Sequence, residues 1–169
     1  MNLTQISAAF EDAGTPLIRT DFASDSAWSV VVEQVTKPVD FDDPDNTDPG
    51  DDGYVPYVVI VDDPEFTGVD GPALAEALPT IESGGYVLLA DARCMEEATA
   101  GGELTLAYVD LSVSDPEDAE LFNSFMGRTF RCAVAEIASI EANLSIANMD
   151  FHEFADNAYP DGVFRGFAD

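Results

Sequence analysis

Apolar positions along this chain follow a helical rhythm near the amino terminus and then a run of short, nearly continuous apolar stretches. Leu3, Ile6 and Phe10 fall at helical spacing, so residues 1–14 predict an amphipathic helix with Asn2 as cap, Gln5 reaching back and Gly14 as stop ahead of Pro16. LIRTD at 17–21 predicts a strand. Asp25 to Lys37 predicts a helix in which Trp28, Val31, Val32 and Val35 share one face. Its β-branched content makes packing, more than propensity, its support. YVPYVVIV at 54–61 predicts a strand whose Pro56 marks an edge or a bulge, and YVLLA at 86–90 predicts another. Between them Pro64 to Leu78 predicts a turn and a short helix, with Pro72 in its first turn and Leu74 and Leu78 inward.

In the second half, Glu103 to Leu111 and Arg128 to Val134 alternate partly with period two, which predicts an antiparallel pair joined by an acidic loop over 112–127. Ala135 to Ala142 predicts a short helix through Ile137 and Ile140. A second helix starts at Asp150, where Asp150 and Glu153 have capping-box spacing, and it stops before Pro160. VFRGF at 163–167 is too aromatic to stand in water. No repeat and no domain boundary interrupts the pattern. The expected fold is a single α/β domain spanning 1–169, with α+β as the alternative: a mixed sheet of about five strands, ending in an antiparallel pair and flanked by short helices.

Charge changes the picture. The chain holds 34 acidic and six basic side chains among 169 residues, a net charge of −28, while 46% of it is hydrophobic. A disordered acidic tail lacks apolar runs of that kind, so the sequence describes a folded core inside an anionic shell. A folded chain of this mass exposes roughly 8,000 Å², which spaces the net charges about 17 Å apart, two Debye lengths at physiological salt. Seven aspartates crowd VDFDDPDNTDPGDDG at 39–53, which predicts an exposed, mobile loop. Its spacing departs from that of an EF-hand, because Asp43, Asp45 and Thr47 are followed by Asp48 where a glycine is required, so weak divalent binding is the most it predicts.

The composition sets limits on partners. There is no basic patch to neutralise phosphates or an anionic membrane, so direct binding to nucleic acid or membrane is not expected. No basic leader and no apolar run of spanning length occurs, and the expected location is the cytoplasm, with Cys94 and Cys132 reduced and packed, or joined as a disulfide should their strands neighbour.

Three constellations could carry chemistry. Asp21, Asp62, Asp63, Asp91 and Asp110 each follow an apolar strand. Were the strands parallel, these carboxylates would converge at the carboxyl edge of the sheet, as hard oxygen ligands for Mg²⁺ or Ca²⁺. Turn and cap duty is the competing account, since the chain holds 21 aspartates. Arg93 beside Cys94 could lower a thiol pKa, although a buried inert thiol is the plainer reading. Arg19, Arg128, Arg131 and Arg165 lie in or beside apolar segments and are expected to pair with carboxylates, or alternatively to bind an anionic ligand. No nucleophile motif accompanies the single histidine, His152, and no catalytic residue is assigned.

LIRTDF at 17–22, VDDPEFTG at 61–68, FRCAVAEIASIEANLSIANMDFHEFAD at 130–156 and DGVFRGF at 161–167 together resemble an uncharacterised domain-of-unknown-function family common in actinobacteria, made of similar small acidic proteins. NLSIANMDF at 143–151 is the most specific part of that resemblance. It implies a single intracellular domain and supplies no catalytic residue. Physically, Asn143, Asn148 and Asp150 bracket an irregular joint between two helices, where amide side chains satisfy backbone groups. A ligand site is expected where this joint meets the arginines, which makes Arg131, Asn143, Asn148, Asp150 and Arg165 the candidate binding residues.

The function expected from charge is that of a non-enzymatic acidic interaction protein, a decoy or immunity-like partner for a basic protein surface, with no cofactor. The alternative is a divalent-cation-dependent enzyme or binder built on the strand-end aspartates. A third account makes the acidity environmental, in which case the carboxylates cover all faces.

Overall fold

The computed structural model describes residues 1, 3–41, 53–77, 85–113 and 115–168. Both Asn2, the expected cap, and most of the aspartate-rich 39–53 stretch lie outside these residues. Among the described residues six strands form one sheet: β1 (Thr15–Arg19), β2 (Val58–Val61), β3 (Tyr86–Ala90), β4 (Thr105–Asp110), β5 (Thr129–Ala133) and β6 (Val163–Phe164), in the spatial order β2-β1-β3-β4-β5-β6. β1 runs parallel to β2 and β3, β4 is antiparallel to both β3 and β5, and β6 is parallel to β5. The expected antiparallel pair is thus β4 and β5. The sheet holds six strands where about five were expected, because the aromatic tail at 163–164 pairs with Arg131 and Cys132 and buries Phe164.

Among the described residues seven α-helices flank the sheet: α1 (Thr4–Glu11), α2 (Asp25–Val35), α3 (Gly71–Ala77), α4 (Ala92–Ala100), α5 (Pro116–Leu121), α6 (Ile137–Ser145) and α7 (Phe151–Ala155). The alternation of each strand splits the core in two. On one face Leu17, Leu88, Leu106, Tyr108, Phe130 and Cys132 pack against α2, α4, α6 and α7 through Trp28, Val31, Cys94, Ile140 and Phe151. On the other, Ile18, Val61, Val87, Leu89 and Val109 pack against α1, α3 and a 3₁₀ turn at Pro64–Phe66 through Ile6, Leu74 and Phe66. The chain therefore crosses from β1 to β2 over one face through α2 and from β2 to β3 over the other through α3. That reversal puts a topological switch point between β1 and β3.

Several elements differ from the sequence expectation for local reasons. β1 starts two residues early, at Thr15, because Pro16 faces a position where β1 pairs with β2 before its pairing with β3 begins, so the missing N–H costs no ladder bond on the β3 side. Tyr54 forms only an isolated bridge with Val39, and β2 begins after Pro56, at the sheet edge. α4 was not expected. Its apolar stripe is reduced to Cys94, Met95 and Ala98, yet Asp91 caps it and Gly101 stops it at φ 71°. α5 likewise interrupts the expected loop at 112–127, with Asp115 accepting from the N–H groups of Glu117 and Asp118 and Pro116 in the first turn.

Candidate functional site

The strand-end aspartates divide between the two edges of the sheet. Asp21, Asp62, Asp63 and Asp91 follow the parallel strands and stand at the carboxyl edge. Asp110 ends the antiparallel β4 and stands at the opposite, amino edge, so the five do not converge. Each has local duties. Asp21 accepts from the Ala23 N–H at 2.9 Å, and Asp63 caps the 3₁₀ turn through the Glu65 N–H at 3.0 Å. Asp62 accepts from Arg19 Nη1 at 3.3 Å and Trp28 Nε1 at 3.1 Å. Asp91 Oδ1 accepts from the Cys94 N–H at 3.0 Å while its other oxygen pairs with Arg131 Nη2. Asp110 accepts from Ser112 and, at 2.5 Å, from Ser124 Oγ. Among the described residues no three His, Cys, Asp or Glu side chains are grouped so as to hold a metal ion.

Each arginine is paired with a carboxylate, Arg19 in the interior and the others nearer the surface. Arg19, 3% exposed, donates to Asp25 at 2.7 Å, to Asp62 and to the Asp21 carbonyl at 3.0 Å, with its guanidinium 4.5 Å over the Phe22 ring. Arg128 bonds Asp156 and the Asn123 carbonyl. Arg165 is shared between Glu103 and Asp161, and its hydrogen bonds hold Asp161 down to about 2. Arg131 joins Asp91 to Thr105, whose own hydroxyl and N–H donate to Glu97, itself bonded by Arg93. Burial pushes the Glu97 carboxyl up, but the bonds from Thr105 and Arg93 outweigh it and hold the group below its ordinary value. Of this chain, Asp91 and Arg131 line a cleft of about 360 Å³ together with Leu89, Ala107, Thr129 and Asp70. With Arg93 bonded to Glu97, it does not activate Cys94. Burial, then the Asp91 charge, pushes that thiol far up, and burial pushes Cys132 up to about 12.

The joint at 143–151 does what amide side chains at a helix junction are expected to do. Asn143 Nδ2 donates to the Ser139 carbonyl at 2.8 Å, Asn148 Nδ2 donates to Asn143 Oδ1 at 2.7 Å, and the Asp150 N–H donates to Glu153 Oε2 at 2.8 Å in the expected capping box. Ala147 turns the chain at φ 51°. The joint does not meet Arg131 or Arg165. α6 carries it back across the sheet, so it lies at the amino edge, whereas Arg131 pairs with Asp91 beyond the carboxyl end of β3 and Arg165 follows β6 at that same edge. Asn143, Asn148 and Asp150 are therefore together, and the two arginines are apart from them.

At the amino edge the joint forms a wall of a second cleft. About 280 Å³ is enclosed by Tyr86 of β3, Asp110 of β4, Ser112 just after it, Phe122 after α5, and Leu144, Met149, Asp150 and Phe151 from the joint. Tyr86 stacks on Phe151 with ring centroids 5.6 Å apart. Burial pushes its phenol up, and the charges of Asp110, Asp150 and Glu141 push it further, against a hydrogen bond with Ser112. An aromatic surface surrounded by carboxylates suits a cation. A third cavity, adjoining through Tyr86 and Leu144, is walled by Glu141. Sequence reasoning passed over Glu141, although Ile137, Ile140, Glu141 and Leu144 have the i, i+3, i+4, i+7 spacing of a buried stripe and a carboxyl on that stripe is a visible anomaly.

A family model described as a domain of unknown function, DUF6924, matches residues 14–167. No curated protein and no solved structure matches the chain.

Proposed function

The chain belongs to the DUF6924 family, a domain of unknown function, and we propose that it is a non-enzymatic binding protein that docks a basic protein surface on the amino edge of its sheet. One observation carries this reading. On a surface dominated by carboxylates, Leu121, Phe122, Phe125 and Ile146 are 73%, 41%, 60% and 75% exposed; Phe122 lines the cleft walled by Tyr86 and Phe151, Leu121 precedes it, Phe125 follows Ser124, which bonds Asp110 of that cleft, and Ile146 precedes Ala147 of its lining. Exposed apolar groups gathered at a cleft are the mark of an interaction surface. Near them stand the exposed carboxylates of Glu117 and Glu120 on α5 and of its cap Asp115, and Asp150 lines the cleft.

The division of labour follows. The apolar side chains supply burial, and the carboxylates select and steer a cationic partner. A lysine or arginine of that partner would lay its stem on Leu144 and Met149 and bring its charge to Asp150 beside the Tyr86 ring. The two thiols are buried and pushed up in pKa, the opposite of what a nucleophile needs.

Fluorescence anisotropy with a labelled peptide carrying arginines among leucines tests the reading. Binding should weaken from low to physiological salt, and the Phe125→Ser, Ile146→Ser double variant should bind at least tenfold more weakly with an unchanged melting temperature. Equal binding by the double variant would assign the attraction to net charge alone and remove the docking site.

A further inference from the structure

Leu89, Ala107 and Arg131 are direct partners across β3, β4 and β5, so their side chains stand in one row on the same face of the sheet. From β5 the Arg131 side chain reaches to β4, where Nη1 donates to Thr105 Oγ1 at 3.0 Å and to the Thr105 carbonyl at 3.1 Å, and on to Asp91 after β3, which accepts from Nη2. Ala107, in the middle of the row, contributes a single methyl and leaves room above the sheet. That room belongs to the cleft of about 360 Å³, lined also by Val69 and Asp70 ahead of α3 and by Gly162 ahead of β6. It shares no lining residue with the docking cleft.

The charged groups of this cleft are open to a ligand. Asp70 is exposed, and the side chains of Asp91 and Arg131 are 35% and 14% exposed. Glu141 is the contrast: its carboxyl is buried, with Oε2 accepting from Thr15 Oγ1 at 2.7 Å and Oε1 sealed without a partner among the described residues. In the cleft, Asp70 Oδ1 takes the Ala73 N–H at 2.9 Å, while its Oδ2 and Arg131 Nε have no hydrogen-bond partner among the described residues. A simple anion would meet the guanidinium but also two carboxylates. A simple cation would meet the carboxylates but also the guanidinium. A ligand carrying both charges sets each against its opposite. The volume falls at the small end of the roughly 300–1,000 Å³ of ligand sites, so the ligand is small.

We propose that this cleft binds a free α-amino acid with a small apolar side chain, its carboxylate on the Arg131 guanidinium, its ammonium on Asp70 and its side chain against Val69, Leu89 and Ala107. From Asp91 outward the charges then alternate: carboxylate, guanidinium, ligand carboxylate, ligand ammonium, Asp70 carboxylate. Arg131 is suited to the first contact because Thr105 and Asp91 hold its planar fork in place before the ligand arrives. The site stands on residues other than those of the docking surface and is independent of any protein partner.

Calorimetric and methyl NMR titration of the full chain with L-valine, L-valinamide and N-acetyl-L-valine tests the site. L-Valine should bind saturably and at least about tenfold tighter than the amide, which lacks the carboxylate, or the acetyl compound, which lacks the ammonium. It should shift the methyl signals of Val69 and Leu89 and leave those of Leu144, in the docking cleft, in place. Asp70→Asn, whose side-chain oxygen can still take the Ala73 N–H, should weaken L-valine about tenfold with an unchanged melting temperature. The Asp91→Asn, Arg131→Met double variant removes the ion pair without leaving one charge alone, and should lose the preference for L-valine over its amide. Equal binding of L-valine and either derivative, an unchanged affinity in Asp70→Asn, shifts at Leu144 in place of Val69 and Leu89, or no saturable binding of L-valine would each overturn the proposal.

Discussion

The single residue whose environment most contradicts its chemistry is Glu141. A carboxylate of ordinary pKa 4.5 is pushed to about 7 by burial inside a helix face that otherwise holds Ile137, Ile140 and Leu144. Below about pH 4.5 the group is neutral in folded and unfolded chains alike and carries no penalty. Between 4.5 and 7 the unfolded chain ionises first, so this group's contribution to stability falls as pH rises, then levels off above 7. The full shift corresponds to about 3 kcal/mol. Glu141→Gln is therefore expected to match the wild type near pH 4 and to exceed it by up to about 3 kcal/mol at pH 8, measured by urea unfolding at the two pH values. Arg19 illustrates the opposite case. Its buried guanidinium is surrounded by acceptors, so its charge is compensated where that of Glu141 is not.

Among elements, α4 shows how a helix with little apolar surface is held. Asp91 serves twice, capping the first turn with one oxygen and fixing Arg131 of β5 with the other, while Glu97 from the same helix takes the Thr105 N–H at the start of β4. The helix is thus tied to two strands by polar groups as well as by Cys94 and Met95. Asp91→Asn keeps the cap and loses the ion pair, whereas Asp91→Ala loses both. Alanine is expected to cost about 2–4 kcal/mol and asparagine roughly half that. Chemical denaturation should also show strong non-additivity with Arg131→Met, because removing both charges leaves no uncompensated partner. Additive losses would mean that the pair does not couple.

Cap residues at Asp91 and Asp115 and the stop at Gly101 were legible in the sequence and could have identified α4 and α5. They were obscured because the apolar signal is weak: α5 has no buried residue at all. The capping box at Asp150, the edge position after Pro56 and the arginine–carboxylate pairing were read correctly for the converse reason. Each depends on a local covalent or electrostatic constraint that few contexts override.

Over the whole molecule, exposed carboxylates occur on helices of both faces, including Glu11 on α1, Glu33 on α2, Glu76 on α3, Glu96 on α4 and Glu117 on α5. The few arginines are each already paired with local carboxylates, too few to relieve repulsion over the surface at large. Screening should. The melting temperature is expected to rise by several degrees from about 0.01 M to 0.15 M KCl, as the screening length falls from about 30 to 8 Å. MgCl₂ or CaCl₂ at matched ionic strength separates screening from specific binding: a rise beyond that in KCl would indicate a divalent site, the alternative raised by the strand-end aspartates.

Sequence by itself determined that this chain has an apolar α/β core under an anionic shell, and that its few guanidiniums would be held by carboxylates. Periodicity, capping chemistry and charge balance are local or summed properties, available without coordinates. Only the tertiary structure decided the direction of β4, which sends Asp110 to the amino edge, and the return of α6, which parts the 143–151 joint from Arg131 and Arg165. It alone also set the half-satisfied burial of Glu141. Strand direction and the pairing of distant carboxylates depend on contacts between residues far apart in the chain, and those contacts exist only once the sheet has formed.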